Sequence, residues 1–443
     1  MEQPALTAAV PAVFVGERTQ LTAIFAGDSA TIDGIGPVQS GVAVETPPLA
    51  RTTTFTLRVG GGDEQVVARA TVQASYRNRI RVLAAAPIAQ TNHLAAALPD
   101  GRAIVMGGNT SASPLVPDST LSQIFAPETE SFASGPDLMF SAEAPLFSSL
   151  APLLTGGFLL AGTGENGPGG PLRFLATQLF DPAAPPGFTR VGDTATAGTS
   201  VRTATPLLDG GALLTGGLTR RSSPINDVVD RYDPGSSQWR AAGPMLHVRV
   251  LHTATLLADG RVLVAGGLTC CQVPNPSPEF YASTAELYDP ATDRFTATGS
   301  MSVPRGGHTA ALLPDGRVLI AGGDGNDPAP SPLGTEIFDP VTGQFSSGGD
   351  LQTPRDSHSA VTLTDGRVLI IGGEVPPELA RRVGVGVPAT EIFDPATGMW
   401  SAGPVLDPAF YAATVTMPSN GKVLVFGGQD AGGSPQAAAA HFE

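Results

Sequence analysis

Arginine and histidine recur together in this chain at a fixed spacing. Three arginines each stand three positions before a histidine, in the pairs Arg249 and His252, Arg305 and His308, and Arg355 and His358. Guanidinium groups bind carboxylates and polar sugars through paired hydrogen bonds, so three of them on one rim would form a binding mouth. The alternative is structural, with each arginine tied to a loop carbonyl or an aspartate. Arg202 stands where a histidine is expected in an earlier copy and would add a fourth guanidinium.

The histidines themselves predict a structural role. We expect His252, His308 and His358, with His93 in the first copy, to hydrogen-bond between neighbouring repeats near the axis of the fold. A metal site is the less favoured reading, and the chain has no cysteine and histidine spacing of the zinc type. The sequence therefore predicts no metal ion and no cofactor.

Two aromatic pairs interrupt the repeating pattern. Phe280-Tyr281 lies in a long variable segment, and Phe410-Tyr411 replaces the arginine-containing lead-in of the last copy. Exposed aromatic rings are suited to stacking on sugars or peptides, which makes these four residues candidate binding groups. Core packing is the alternative for both pairs.

Two further clusters carry weaker signals. Cys270 and Cys271 are adjacent, so they cannot close a long loop, and no base stands near them in sequence to support a catalytic thiol. We expect them to be dispensable for folding. Asp324, Asn326 and Asp327 resemble part of a calcium loop, but they lack its spacing and its bidentate glutamate. A solvated turn is the preferred interpretation.

All of these residues belong to, or interrupt, a repeat with a period near fifty residues. Its clearest copy is Asp315-Gly316-Arg317 followed by an apolar run and a glycine pair; the first glycine of that pair recurs at Gly107, Gly162, Gly216, Gly266, Gly322, Gly372 and Gly427. A period of this size is typical of propeller blades. Each copy predicts four strands. A short apolar run is joined by an Asp-Gly hairpin turn to a buried run ended by the glycines, and an aromatic strand ended by Asp-Pro and a fourth aromatic strand follow.

The glycine pair, the spaced aromatic residues and the Arg-x-x-His lead-in together resemble the kelch repeat over residues 76–443. The resemblance implies an all-β fold, a seven-bladed kelch-type β-propeller of the galactose-oxidase-like superfamily. Copper-radical oxidases of that superfamily need a Tyr–Cys cross-link and a Tyr-His pair; here Tyr411 is followed by Ala412, so a copper oxidase is not expected. Sialic-acid epimerases are also kelch rings, and Glu374 or Glu378 beside the arginines keeps that alternative open.

The two ends of the chain predict the remaining architecture. The last repeat stops one strand short, and a strand at residues 79–85 reads like the missing one, so we expect it to close the last blade and remove two exposed edges. Residues 1–75 show short alternating strands with glycine-rich turns, which predict a small β-sandwich. That segment looks like the immunoglobulin-like modules of bacterial surface and secreted proteins.

Composition excludes some partners. The net charge is −15, from 25 basic and 40 acidic residues, which argues against nucleic acid because phosphates demand a basic surface. No run of apolar residues is long enough for a membrane span. No signal peptide opens the sequence, yet the N-terminal module favours an extracellular, periplasmic or cell-surface protein whose leader is absent, with a cytoplasmic protein as the alternative. The sequence does not indicate an oligomeric state.

The sequence-based hypothesis is a non-enzymatic recognition protein. The connections that follow the glycine pairs are long, while the opposite turns are tight, so one face of the ring is elaborated. We expect this face to bind a glycan or another protein. The first alternative is an enzyme of epimerase or lyase type acting on a small acidic sugar at the channel mouth, and the second is a scaffold in a larger surface assembly.

Overall fold

The described part of the chain is built from β-strands. The computed structural model describes residues 3–26, 29–60, 66–84, 88–89, 93–108, 120–139, 149–153, 156–165, 173–182, 187–192, 194–195, 199–200, 202–219, 225–269, 281–325, 333–373, 389–406, 413–428 and 436–443. Seven four-stranded antiparallel sheets form a seven-bladed kelch-type β-propeller, preceded by a small β-sandwich. The predicted fold class is thereby confirmed. No helix within these ranges is long and apolar enough to cross a membrane.

The first four blades follow one another along the chain, and each runs from an inner to an outer strand. Blade 1 comprises Leu94–Ala97, Ala103–Met106, Ser122–Ala126 and Ser131–Ser134. Blade 2 comprises Ser149–Pro152, Phe158–Glu165, Arg173–Phe180 and Phe188–Val191. Blade 3 comprises Thr203–Pro206, Ala212–Thr215, Val229–Asp233 and Gln238–Ala241, with Thr199–Ser200 paired to Leu218–Thr219 beside it. Blade 4 comprises Thr253–Leu256, Val262–Ala265, Ala285–Asp289 and Arg294–Ala297.

The last three blades repeat this order, and the final one borrows a strand. Blade 5 comprises Thr309–Leu312, Val318–Ala321, Gly334–Asp339 and Gln344–Asp350. Blade 6 comprises Ser359–Thr362, Val368–Ile371, Ala389–Asp394 and Met399–Val405. Blade 7 comprises Thr414–Thr416, Val423–Phe426 and Ala439–Phe442, and its outer strand is Ile80–Val82.

The closure of the ring is short. Ile80–Val82 pairs antiparallel with Ala440–Phe442, in the place where the sequence predicts the missing strand. Charged side chains surround this seam: Glu443 forms ion pairs with Arg79 and with Lys422, the latter at 2.9 Å. Burial raises the pKa of Glu443, but the hydrogen bonds and charges of Lys422 and Arg79 together outweigh it and lower that pKa to about 2. Three ladder residues and a charged cluster therefore hold the two ends of the ring together.

Packing between blades accounts for the apolar second strands. Every residue of Val262–Ala265 and of Val318–Ala321 is buried, because each strand lies between two neighbouring blades. Leu263 and Ala265 of blade 4 share one cluster with Ile320 of blade 5. The glycine pair lets this packing continue to the end of the strand. Gly266 has φ +63°, and a Cβ there would lie 2.5 Å from the carbonyl oxygen of Arg305 in the next blade.

The N-terminal module is a two-sheet sandwich that docks on the ring. One sheet contains Ala5–Ala8, Gln20–Ile24 and Ala43–Glu45. The other contains, in spatial order, Ala12–Phe14, Val66–Ser75, Thr53–Val59, Ala30–Ile32 and Gly36–Val38. Tyr76 donates a hydrogen bond of 2.7 Å to the carbonyl oxygen of Gly421 in blade 7, and Thr364 of blade 6 donates one of 2.5 Å to that of Ala50. Its likeness to immunoglobulin modules stays a prediction.

Candidate binding face

The two faces of the ring differ in how their connections are built. On one face, tight Asp-Gly turns join the first and second strands, and the N-terminal module docks there against blades 6 and 7. The other face carries the lead-in before each first strand and the connection after each glycine pair, because antiparallel strands alternate in direction. We call it the loop face. All of the predicted binding residues stand in the lead-ins and connections that form the loop face.

The arginines of the loop face are buried, and their terminal nitrogens are hydrogen-bonded within their own blade. Arg249 and Arg305 are 0 % exposed and Arg355 is 2 % exposed. In blade 5, the Arg305 guanidinium donates to the carbonyl oxygen of Gly322 at 3.1 Å and lies 3.1 Å from a carboxylate oxygen of Glu336. Blade 4 repeats the arrangement with Arg249 and Glu286 at 2.5 Å, and blade 6 repeats it with Arg355 and Glu391 at 2.8 Å.

Each of these glutamates also fixes the lead-in backbone. Glu286 accepts hydrogen bonds from the backbone N–H groups of Leu246 at 2.6 Å and His247 at 3.1 Å. Glu336 accepts the corresponding pair from Ser302 and Val303 at 2.7 and 3.2 Å. The carboxylate thus gains both a cation and two amide donors, which is the condition under which a buried charge is tolerated. We call this arrangement the arginine tie.

The other blades show what replaces the tie when the arginine is absent. The strand register shows which residues stand at the glutamate position: Gln123 in blade 1, Gln178 in blade 2 and Ala440 in blade 7. The neutral amide still binds the lead-in backbone, because Gln178 accepts a hydrogen bond of 2.7 Å from the N–H of Met139. In blade 3 the acidic residue is Asp230, which forms a buried ion pair with Arg202.

The geometry therefore favours the structural alternative for all four arginines. Burial lowers the pKa of Arg202, Arg249, Arg305 and Arg355, and the acidic partner of each opposes that shift. A terminal nitrogen of each guanidinium donates to a carbonyl oxygen of the second strand or glycine pair of its own blade. Ligand binding through these residues stays a prediction, and it would require the tie to open.

The lead-in histidines of blades 4 to 6 hydrogen-bond to neighbouring blades, as the sequence predicts, whereas the ring of His93 in blade 1 packs edge-on at 5.0 Å from that of Phe426 in blade 7. Nε2 of His308 lies 2.9 Å from Oγ1 of Thr253 in blade 4, and Nε2 of His358 lies 2.8 Å from that of Thr309 in blade 5. His252 contacts blade 3 at a different place, where its Nε2 lies 2.7 Å from Oγ1 of Thr215 at the end of the second strand. Burial lowers the pKa of His308 and of His358 to about 3, so both rings are neutral near pH 7.

Tyr281 is the described member of the predicted aromatic pairs. Its hydroxyl donates to Oδ2 of Asp324 at 3.1 Å, and its ring packs on Gly306, where a Cβ would lie 2.7 Å from the ring. This residue links the lead-in of blade 5 with the loop of blade 4. The remaining candidates lie outside the described residues: Phe280, Phe410, Tyr411, Cys270, Cys271, Asn326, Asp327, Glu374 and Glu378.

One lead-in position of blades 4 to 6, at the inner rim of the loop face, carries uncharged residues. Leu251, Gly307 and Ser357 occupy one lead-in position and have positive φ values of 57°, 65° and 52°. The N–H of Gly307 donates 3.0 Å to the carbonyl oxygen of Leu251, which connects adjacent tips. A leucine in the left-handed region is uncommon and costs energy, so the surrounding structure must hold it there.

Comparisons with known proteins identify a fold and leave the family open. No family model matches the chain, and no curated protein matches it. A fungal alcohol oxidase of the AA5 family, solved in complex with copper, matches with a TM-score of 0.61 and 14 % identity over 82 % of this chain and 75 % of its own. The structure of YjhT matches with a TM-score of 0.50 and 15 % identity over 68 % and 94 %. At these identities the likeness concerns the β-propeller fold.

The copper of the fungal oxidase has no counterpart in the described residues. No group of three histidine, cysteine, aspartate or glutamate side chains within the described ranges could hold a metal ion. The lead-in histidines, which are the nearest candidates by type, are committed to threonine hydroxyls between blades. The described donor set therefore does not fit a copper ion.

Proposed function

We propose that this chain is a recognition protein that binds a glycan or another protein through its loop face. The observation that carries the proposal is the division between the two faces of the ring. The face with the tight Asp-Gly turns, which we call the trimmed face, bears the N-terminal module, and the loop face bears the long variable connections. Function commonly resides in loops that a rigid scaffold positions. Export to the cell surface, the periplasm or the medium belongs to the same proposal and rests on the character of the N-terminal module.

The chemistry of the described part of the rim narrows the class of ligand. The four arginines are occupied in their blades, and Leu251, Gly307 and Ser357 carry no charge. Asp324 is the exposed charged group beside Tyr281. The described part of the rim therefore offers hydrogen bonds to polar uncharged groups and, at Asp324, a negative charge that disfavours anions. It supports a neutral glycan or a polar protein segment, and it gives no support to catalysis on an acidic sugar.

Blocking one face at a time tests the proposal. In a background with both native cysteines changed to serine, Ser357→Cys places a thiol on the loop face and Leu208→Cys places one on the trimmed face. Both positions are exposed, Leu208 at 54 %. Each variant is labelled with a bulky maleimide polymer and screened on arrays of glycans and of extracellular proteins. We expect the label at residue 357 to abolish binding and the label at 208 to leave it intact; the reverse result would refute the proposed face.

A further inference from the structure

Blade 4 carries an exposed histidine that its arginine tie does not require. His247 occupies the second amide position of the tie, and its side chain is 51 % exposed. Val303 and Thr353 occupy the same position in blades 5 and 6, and their backbone N–H groups reach Glu336 and Glu391 at the same 3.2 Å. Two blades thus build the tie without an imidazole. The ring of His247 is an addition to the scaffold.

The scaffold nonetheless orients this ring. Nδ1 of His247 lies 3.1 Å from Oε1 of Glu286, whose side chain is fully buried. The Arg249 guanidinium donates to the same oxygen at 2.5 Å, and the carboxylate of such an ion pair only accepts hydrogen bonds. Nδ1 must therefore carry the proton. In the neutral ring, Nε2 is then the acceptor, on a side chain that is half exposed to solvent.

We propose that Nε2 of His247 is a ligand-binding group of the loop face, which accepts a hydrogen bond from a hydroxyl group of a neutral glycan. This inference rests on the proposed function and names its ligand class. A fixed acceptor favours hydroxyl donors, and the arginines of the described lead-ins are buried against acidic side chains, so they offer no anion site beside it. The ordering of the ring by Glu286 removes part of the entropy that a free histidine would lose on binding.

Three substitutions separate the ligand contact from the tie. His247→Asn can keep the hydrogen bond to Glu286 through its amide but has no group at the Nε2 position. His247→Gln reaches that position with an acceptor, and His247→Val copies blade 5. Thr353→Val is the matched control in blade 6. Because Val303 supports the same tie, all four proteins should melt within a few degrees of the unchanged chain.

Binding is measured on an array of neutral oligosaccharides in the presence of a chelator, which prevents a metal ion from bridging. We expect His247→Asn and His247→Val to weaken the strongest array interaction by about 3- to 10-fold, the range of one neutral hydrogen bond. His247→Gln should recover part of the loss, and Thr353→Val should bind like the unchanged chain. Full binding by His247→Asn would overturn the inference and leave the proposed function standing.

Chemical reactivity gives a readout that needs no ligand. The chain has six histidines, and the other five are at most 6 % exposed. Diethyl pyrocarbonate should therefore modify His247 first, at Nε2, as located by peptide mass mapping. Slow modification of His247 would overturn the inference directly. A reactive His247 in a protein that binds no neutral glycan would refute the ligand class, whereas binding of a protein partner in the face-blocking experiment would still support the proposed function.

Discussion

Blades 4 to 6 and blades 1, 2 and 7 solve the same structural problem with different chemistry. The first group buries an arginine and a glutamate together, and the second has glutamine or alanine at the glutamate position. Among the described residues of these six blades, neither charge of the tie occurs without the other. A lone buried charge is strongly destabilising, so the two residues must appear or disappear as a pair. The paired presence or absence of the two charges indicates that these arginines belong to the scaffold.

Blade 7 should be the most sensitive region in this comparison, because it has neither tie nor amide and depends on a borrowed strand. A chain that starts at residue 90 lacks Ile80–Val82 and leaves the hydrogen-bonding edge of Ala439–Phe442 unpaired. We expect a loss of cooperative folding, or a fall in melting temperature well beyond ten degrees, measured by calorimetry. A shortened chain that melts as high as the full one would refute the role of this strand.

Removing one partner of a tie should produce the next largest effect. Arg305→Met leaves Glu336 charged and buried, which should cost about 3–5 kcal/mol of unfolding free energy. Adding Glu336→Gln reproduces the chemistry of blades 1 and 2, and we expect it to restore most of that loss. Urea denaturation measures both proteins. Ligand affinity should be unchanged in the double variant; if affinity falls instead while stability holds, Arg305 binds ligand after all.

Acid should lower the unfolding free energy through the lead-in histidines of blades 5 and 6. His308 and His358 have pKa values of about 3 in the folded chain, below the ordinary value of a histidine, so the unfolded chain binds more protons. Stability is therefore full above about pH 6.5 and falls as the pH drops toward 3, by at most about 1.4 kcal/mol per pH unit for each ring. Urea midpoints between pH 7 and 4 measure this slope.

A matched variant assigns that slope to one ring. His308→Gln keeps a polar group near Thr253 but does not titrate, so its unfolding free energy should depend less steeply on pH than that of the unchanged chain. Glu443 affects stability at lower pH. Its folded pKa of about 2 lies below the ordinary range, so its stabilisation is lost between about pH 4.5 and 2. An unchanged slope above pH 4.5 in His308→Gln would contradict the assignment.

The smallest effect is expected outside the repeats. Cys270 and Cys271 lie in a variable segment between the second and third strands of blade 4, so the double change to serine should shift the melting temperature by no more than a few degrees. Differential scanning calorimetry with and without a reductant measures this. A collapse in stability would show that the pair fixes its loop or holds a metal ion.

The repeat was sufficient to predict the ring because every strand, turn and glycine pair reports the same period. The acidic half of each tie was missed, although Glu286, Glu336 and Glu391 stand two residues before an aromatic residue in the blades with a complete lead-in. Comparing the seven copies for charges that occur together would have revealed it. His247 could not be found in this way, because it is unique to one blade. The docking of the module also depends on surface contacts that carry no period.

The seam of blade 7 also imposes an order in time. Its outer strand, Ile80–Val82, leaves the ribosome long before its partner, Ala439–Phe442. At roughly 5–20 residues per second, the first strand waits on the order of 20–70 s for the second. During that interval blades 1 to 6 can assemble as an open arc, with the waiting strand tethered directly to the sandwich. The ring is therefore completed only once Ala439–Phe442 has been synthesised, and a nascent chain that stalls before this strand exposes two unpaired edges.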